Sequence, residues 1–173
     1  FTTHDQEEKG GFTAEISLSP ASITLTALLN SVSNSSSLPF EYTGNFGSNA
    51  SKLVECEGQF GKSGQKRYAM AYKFNLQVND ELIITQTSDE VDTYVYLYKK
   101  NGATYDYIDK NDDAYNGNDD VLHSALSYSV TSQGEYYVIF STYDFETGSF
   151  TGKVMLATQQ ITINSLSANP NTI

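Results

Sequence analysis

Residues 68–76 read Tyr68-Ala69-Met70-Ala71-Tyr72-Lys73-Phe74-Asn75-Leu76. A bulky apolar or aromatic side chain falls at every second position, with Ala, Lys and Asn between. Successive Cβ atoms of a strand point to opposite sides, so this period places Tyr68, Met70, Tyr72, Phe74 and Leu76 on one sheet face. The polar run Val78-Asn79-Asp80-Glu81 then marks a turn, and Leu82 to Thr87 reads as the next strand. Thr93 to Tyr98 sets Tyr94, Tyr96 and Tyr98 against Thr93, Val95 and Leu97, and ends at the turn dipeptide Asn101-Gly102. Leu126, Tyr128 and Val130 mark a further strand closed by Gln133-Gly134. Tyr136 to Ser141 is apolar on both faces, as a central strand covered on both sides must be. Phe150 to Leu156 completes the series, and Ile23 to Leu29 and Val54 to Phe60 are weaker strand candidates upstream. Leu28-Leu29 breaks the alternation, so a short helix is the alternative for the first of these. Short strands at close spacing, separated by turn signals, predict an all-β chain: an antiparallel β-sandwich of about eight to ten strands.

Composition narrows the function. Ten Lys+Arg against 21 Asp+Glu give a net charge of −11, which opposes binding to phosphate backbones or anionic lipid. Nucleic acid and membrane insertion are therefore not expected, and no stretch approaches the roughly 20 apolar residues of a membrane-spanning helix. Metal cations are the natural counterpart of such charge. The lone cysteine, Cys56, excludes an intramolecular disulfide and a cysteine-based zinc cage. Gly-x-Ser-x-Gly is absent, and the adjacent His123-Ser124 would point to opposite faces of a strand, so an enzyme is not expected. By composition, residues 1–37 read as an N-terminal extension or linker with a possible strand. Residues 38–158 read as the main domain, and 159–173 as a tail or the start of a next module. The chain is expected to be part of a larger or processed protein.

Chemistry concentrates in one window. Nine of the 21 acidic residues lie between Asp89 and Asp120: Asp89, Glu90, Asp92, Asp106, Asp109, Asp112, Asp113, Asp119 and Asp120. Carboxylates held this close repel one another, and a hard cation removes that cost. Asp109-x-Asn111-x-Asp113 copies the first three ligand positions of a calcium loop, with Asp120 at the twelfth. Ala114 stands where such loops carry Gly, and the flanks read as strands, so this is not an EF-hand. Ca2+ is the expected ligand, with a solvated polar loop as the alternative. The 13 Tyr exceed what a core needs, and a Tyr ring offers a rigid apolar face with a polar tip. Tyr105, Tyr107, Tyr115, Tyr136 and Tyr143 are the candidate contact residues for a protein, peptide or glycan ligand.

Five ordered motifs carry a resemblance. Val91-Asp92-Thr93-Tyr94-Val95-Tyr96-Leu97-Tyr98 resembles the D-T-Y-L-Y-L strand of bacterial pre-peptidase C-terminal domains, and Asn111-Asp112-Asp113 resembles their N-D-D loop. Ser124 to Val130 is similar to their S-R-I-S-Y-T-L strand, Gly134 to Phe140 to G-T-Y-Y-V-V-V, and Thr147-Gly148-Ser149-Phe150 to the closing T-G-S-Y-T-L. The resemblance spans residues 65–156. It implies a jelly-roll-like β-sandwich, secreted or displayed on a bacterial cell surface, appended to a larger protein and without catalysis of its own. The collagen-binding domains of clostridial collagenases are relatives of this fold, and members often bind calcium. Asp92, Asp112 and Asp113 are the candidate ligands carried over from the resemblance; Asp109, Asn111, Asp119 and Asp120 come from spacing alone. The relatives place calcium ligands in an acidic segment ahead of the sandwich. Asp5-Gln6-Glu7-Glu8 does not match it, so collagen binding does not transfer. The expected role is ligand recognition, as an adhesin or accessory domain, or alternatively a calcium-stiffened spacer between neighbouring domains of the parent chain.

Overall fold

The structure, a computed structural model, describes residues 21–114 and 122–157. A helix α1 (Leu25–Asn30) precedes nine strands: β1 (Phe40–Phe46), β2 (Lys52–Glu55), β3 (Lys66–Leu76), β4 (Glu81–Thr87), β5 (Thr93–Asn101), β6 (Thr104–Asn111), β7 (Ser124–Ser129), β8 (Gly134–Thr142) and β9 (Gly148–Leu156). They form two antiparallel sheets, β1-β9-β4-β7 and β2-β3-β8-β5-β6. With β2 set aside, β1 pairs with β9, β3 with β8, β4 with β7 and β5 with β6. That nested order is a long folded hairpin rolled into two sheets, the jelly roll. The all-β sandwich expected from the sequence is therefore the fold observed.

The alternation in β3 does what its period predicts. Tyr68, Met70, Phe74 and Leu76 enter the core between the sheets, while Ala69 faces the other way. In β8, Tyr136, Val138 and Phe140 face the inter-sheet core, and Tyr137 and Ile139 face outward. The outward residues are buried too, because α1 and a 3₁₀ turn at Gly58–Phe60 cover that face of the five-stranded sheet. Two covered faces explain the unbroken apolar run of β8. The same cover explains the tyrosines of β5: Val95 and Leu97 fill the inter-sheet core, while Tyr94, Tyr96 and Tyr98 form the second one. A buried phenol needs a partner for its hydroxyl. Tyr96 Oη accepts from Arg67 Nη1 at 2.6 Å and donates to the Phe60 carbonyl at 3.1 Å.

Several local expectations change. Ile23 to Leu29 is not a strand: only Ile23 bridges to Val54, and the chain then turns into α1. Thr24 caps the helix by accepting the Ala27 N–H at 3.1 Å. The spacing of Leu25, Leu28 and Leu29, which spoils a strand, puts all three on the buried side of a helix. Val54 to Phe60 holds a strand only as far as Glu55, and Gly58 at φ +55° enters the 3₁₀ turn. The Ser/Asn-rich residues 31–37 run beside β3, where Ser36 N–H donates to the Lys73 carbonyl at 2.7 Å and Asn75 Nδ2 to Ser35 Oγ at 3.0 Å. In the β5–β6 hairpin, Asn101 pairs with Thr104 across a two-residue turn. Gly102 has φ +59° and Ala103 does not have positive φ, the pattern of a type II′ turn.

Candidate functional site

The rolled topology gathers the β4–β5, β6–β7 and β8–β9 connections at one end of the sandwich. Backbone bonds lock them together. Tyr143 N–H donates to the Asp92 carbonyl at 2.8 Å, and Asp92 N–H donates to Glu146 Oε2 at 2.9 Å. Ser88 Oγ accepts from the N–H groups of Glu90 and Val91 and donates to the Ser149 carbonyl. Glu90 Oε2 in turn accepts the Ser149 N–H, which holds the Glu90 carboxyl below its ordinary value.

Asp92 is the focus of this end. Its Oδ1 is buried and has no hydrogen-bond partner. Its pKa is raised to about 6, first by burial and then by the charges of Glu146, Asp113, Asp112 and Asp144. Among the described residues no lysine or arginine is ion-paired with these five carboxylates. Two cations stand over aromatic rings. Arg67 lies 5.0 Å from the Tyr94 ring centroid and 5.3 Å from that of Tyr143, and Lys110 lies 5.7 Å from Tyr94. A buried carboxylate oxygen without a donor, under the charge of four more carboxylates, is an electrostatic cost to the folded chain. Among the described residues no three His, Cys, Asp or Glu side chains converge closely enough to hold an ion by themselves.

The residues expected as ligands separate. The charges of Asp112 and Asp113 act on Asp92, but the three do not converge as a ligand cluster. Asp109 and Asn111 are not in a loop: both belong to β6, where Asp109 pairs with Leu97 and Asn111 with Val95. Asp109 Oδ1 accepts its neighbour's Lys110 N–H, and Asn111 Oδ1 accepts the Ala125 N–H at 3.1 Å. The calcium-loop spacing is thus broken by strand geometry, because β6 continues further than polar composition suggests. Asp119, Asp120 and Tyr115 lie outside the described residues. Asp144 and Glu146 are members that sequence reasoning missed. Nothing in the local pattern marks them; only the antiparallel fold, which lays the β8–β9 turn against Asp92, does so.

The tyrosines separate as well. Tyr136, expected as an exposed contact, is fully buried between the sheets and donates its hydroxyl to the Ser132 carbonyl at 2.7 Å. The strand parity of β8 turns it inward with Val138 and Phe140. Tyr143 is exposed, and Tyr105 and Tyr107 are half-buried on the outer face of β6. His123 and Ser88 meet at this end too, but through the Ser88 backbone N–H to His123 Nδ1 at 3.3 Å. The Ser88 hydroxyl is committed to Ser149, so the contact is not a nucleophile–base pair.

No protein-family profile matches the chain, and no curated protein sequence does. Solved structures do. The chain is similar in fold to a pre-peptidase C-terminal domain. That structure is the domain of the collagenase from Bacillus anthracis, with a TM-score of 0.45 and 14% identity, covering 79% of this chain and 99% of that one. The chain is also similar to the Yersinia pseudotuberculosis-derived mitogen, with a TM-score of 0.38 and 14% identity, covering 68% of this chain and 86% of that one. The sandwich itself rests on the strand register and not on either likeness. Among the described residues no helix is long and apolar enough to cross a membrane.

Proposed function

We propose that the chain is a non-catalytic β-sandwich module of a larger secreted or cell-surface bacterial protein. It binds Ca2+ at the Asp92 end and recognises a protein, peptide or glycan through tyrosines of its outer sheet face. The observation that carries the calcium reading is the buried, unpartnered Oδ1 of Asp92 facing Glu146, Asp113, Asp112 and Asp144. A cation there would satisfy that oxygen and turn mutual repulsion into attraction. Asp92, Asp112 and Asp113 would hold it, with Asp144 and Glu146, whose charges also act on Asp92, closing in from the β8–β9 turn. Calcium suits an open, irregular set of oxygens better than magnesium, which requires stricter octahedral geometry.

The test is thermal unfolding in 1 mM calcium against EDTA. With a dissociation constant of about 0.1 mM, binding stabilises by about 1.4 kcal/mol, which for a domain of this size raises Tm by about 3–6 °C. Equal melting temperatures would contradict the reading. The spacer reading is favoured by one observation: Tyr96, Tyr136 and Tyr137 are spent on internal packing. A screen of peptides and glycans separates the two, because a spacer stabilised by calcium binds none of them.

A further inference from the structure

Away from the acidic end, a cavity of about 450 Å³ opens on the outer face of the five-stranded sheet, beneath α1 and beside the 3₁₀ turn. Its walls include Leu25 and Leu29 from the helix, Glu57 from the turn, and Tyr98, Tyr105 and Tyr107 from the β5–β6 hairpin. The volume falls within the range of pockets that take small ligands or single side chains.

Three features give the pocket a charge preference. Tyr98 and Tyr107 both line it and meet edge to face, with centroids 5.7 Å apart at 73°. Ring faces are negative and attract cations. Carboxylates frame the rings: the charge of Glu57 acts on Tyr98 and that of Asp109 on Tyr107. No lysine or arginine lines the cavity. Two lysines lie beside it and are engaged elsewhere: Lys110 donates to the Gln59 carbonyl at 3.2 Å and stands 5.7 Å from the Tyr94 ring, and Lys100, opposite Tyr105, pairs with Glu135 at 3.5 Å.

The pocket also has an edge beside it. β6 is the outermost strand of its sheet, and among the described residues its pairing is to β5 alone. Among the described residues no further strand pairs with its other side, and the Lys110 N–H is taken by Asp109 Oδ1; an unpaired strand edge is the template on which an extended peptide adds as a strand. Alternate side chains of such a peptide face the same side as Tyr105 and Tyr107.

From this juxtaposition we propose that the pocket receives a lysine side chain of an extended peptide segment, with the ammonium held by Tyr98, Tyr107 and Glu57 while the peptide backbone adds to the edge of β6. The inference rests on the recognition half of the function proposed above and is independent of calcium.

The experiment uses the full chain in saturating calcium and an end-blocked peptide, T-V-K-V-T, compared with the same peptide carrying norleucine for lysine. Binding is followed by NMR of the tyrosine rings and the β6 amides. The lysine peptide is expected to bind about tenfold more tightly than its neutral isostere and to shift Tyr98, Tyr105 and Tyr107. Glu57→Gln, at an exposed position, reduces that preference about threefold. Equal affinity of the two peptides overturns the proposal, as does a shift map centred on Asp92 and Asp144. Choline binding without peptide binding overturns it in favour of a headgroup ligand. A glycan that shifts Tyr105 and Tyr107 when neither peptide does sinks this inference and leaves the recognition reading standing. Silence from peptides, choline and glycans alike sinks both.

Discussion

Phe140→Ala is expected to cost about 3–5 kcal/mol, as the loss of a fully buried aromatic from a close-packed core does. Phe140, on β8, is 0% exposed, and its ring lies 5.9 Å from Tyr72 and 6.0 Å from Phe150, centroid to centroid. It is also the side chain against which β9 closes. A Cβ added at Gly152 would stand 2.6 Å from the edge of that ring, so the glycine is there to let the two sheets meet. Gly152→Ala therefore forces the ring out of place, at about 1–3 kcal/mol. The two changes are coupled through one contact. Combining Gly152→Ala with Phe140→Leu, which trims the ring, is expected to cost clearly less than the sum of the single changes. Urea denaturation of the wild type and the four variants measures this. Strict additivity, or a Phe140→Ala loss below about 1 kcal/mol, would mean the sheets do not pack around this pair.

Asp92→Asn is expected to change stability with opposite signs in the two metal conditions. In EDTA the substitution removes a charge that the fold disfavours. The Asp92 pKa is raised from 3.8 to about 6 in the folded chain, so the native state binds this proton more tightly than the unfolded one. Stability from this group is then fully present below about pH 4 and is lost as pH rises through about 6. At pH 7 the wild type thus carries a penalty that Asn lacks, about 1 kcal/mol once screening of this partly exposed carboxylate is allowed for. In calcium the order reverses, because the ion stabilises the carboxylate and Asn offers a weaker ligand. The calcium-dependent gain in Tm is expected to disappear in the variant. Melting curves from pH 4 to 8, with EDTA and with calcium, check both signs. A variant less stable than wild type in EDTA at pH 7, or one that keeps the whole calcium gain, would count against the account.

Much of the fold was legible where one physical rule acted alone. The period of two in β3 and β5, the double-sided run of β8, and the turn residues at Asn79 and Gly102 all read directly as they stand in the structure. Ile23 to Leu29 misled because a helix of six residues gives almost no periodic signal, and its cap at Thr24 outweighs the β-branched residues around it. β6 was hidden by its polar side chains: an edge strand with Asp106, Asp109 and Lys110 looks like a loop by composition alone.

The site was half legible. Asp92, Asp112 and Asp113 were visible as local acidity, and in the structure the charges of Asp112 and Asp113 act on Asp92. Asp109 and Asn111 were chosen by spacing, which assumes a loop, and strand pairing commits them elsewhere. Asp144 and Glu146 were invisible because their role comes from a contact across some fifty residues of chain, made by the roll of the sandwich. Tyr136 was misjudged by parity: within one strand, Tyr136 and Tyr137 serve different cores.

A calcium titration of the isotopically labelled chain, read at backbone amides, tests the central claim most directly. The account predicts saturable shifts at Asp92, Asp112, Asp113, Asp144 and Glu146, little change at Asp109 on β6, and a much weaker response to magnesium. Amides at this end that stay still through millimolar calcium, or drift without saturating, would contradict it.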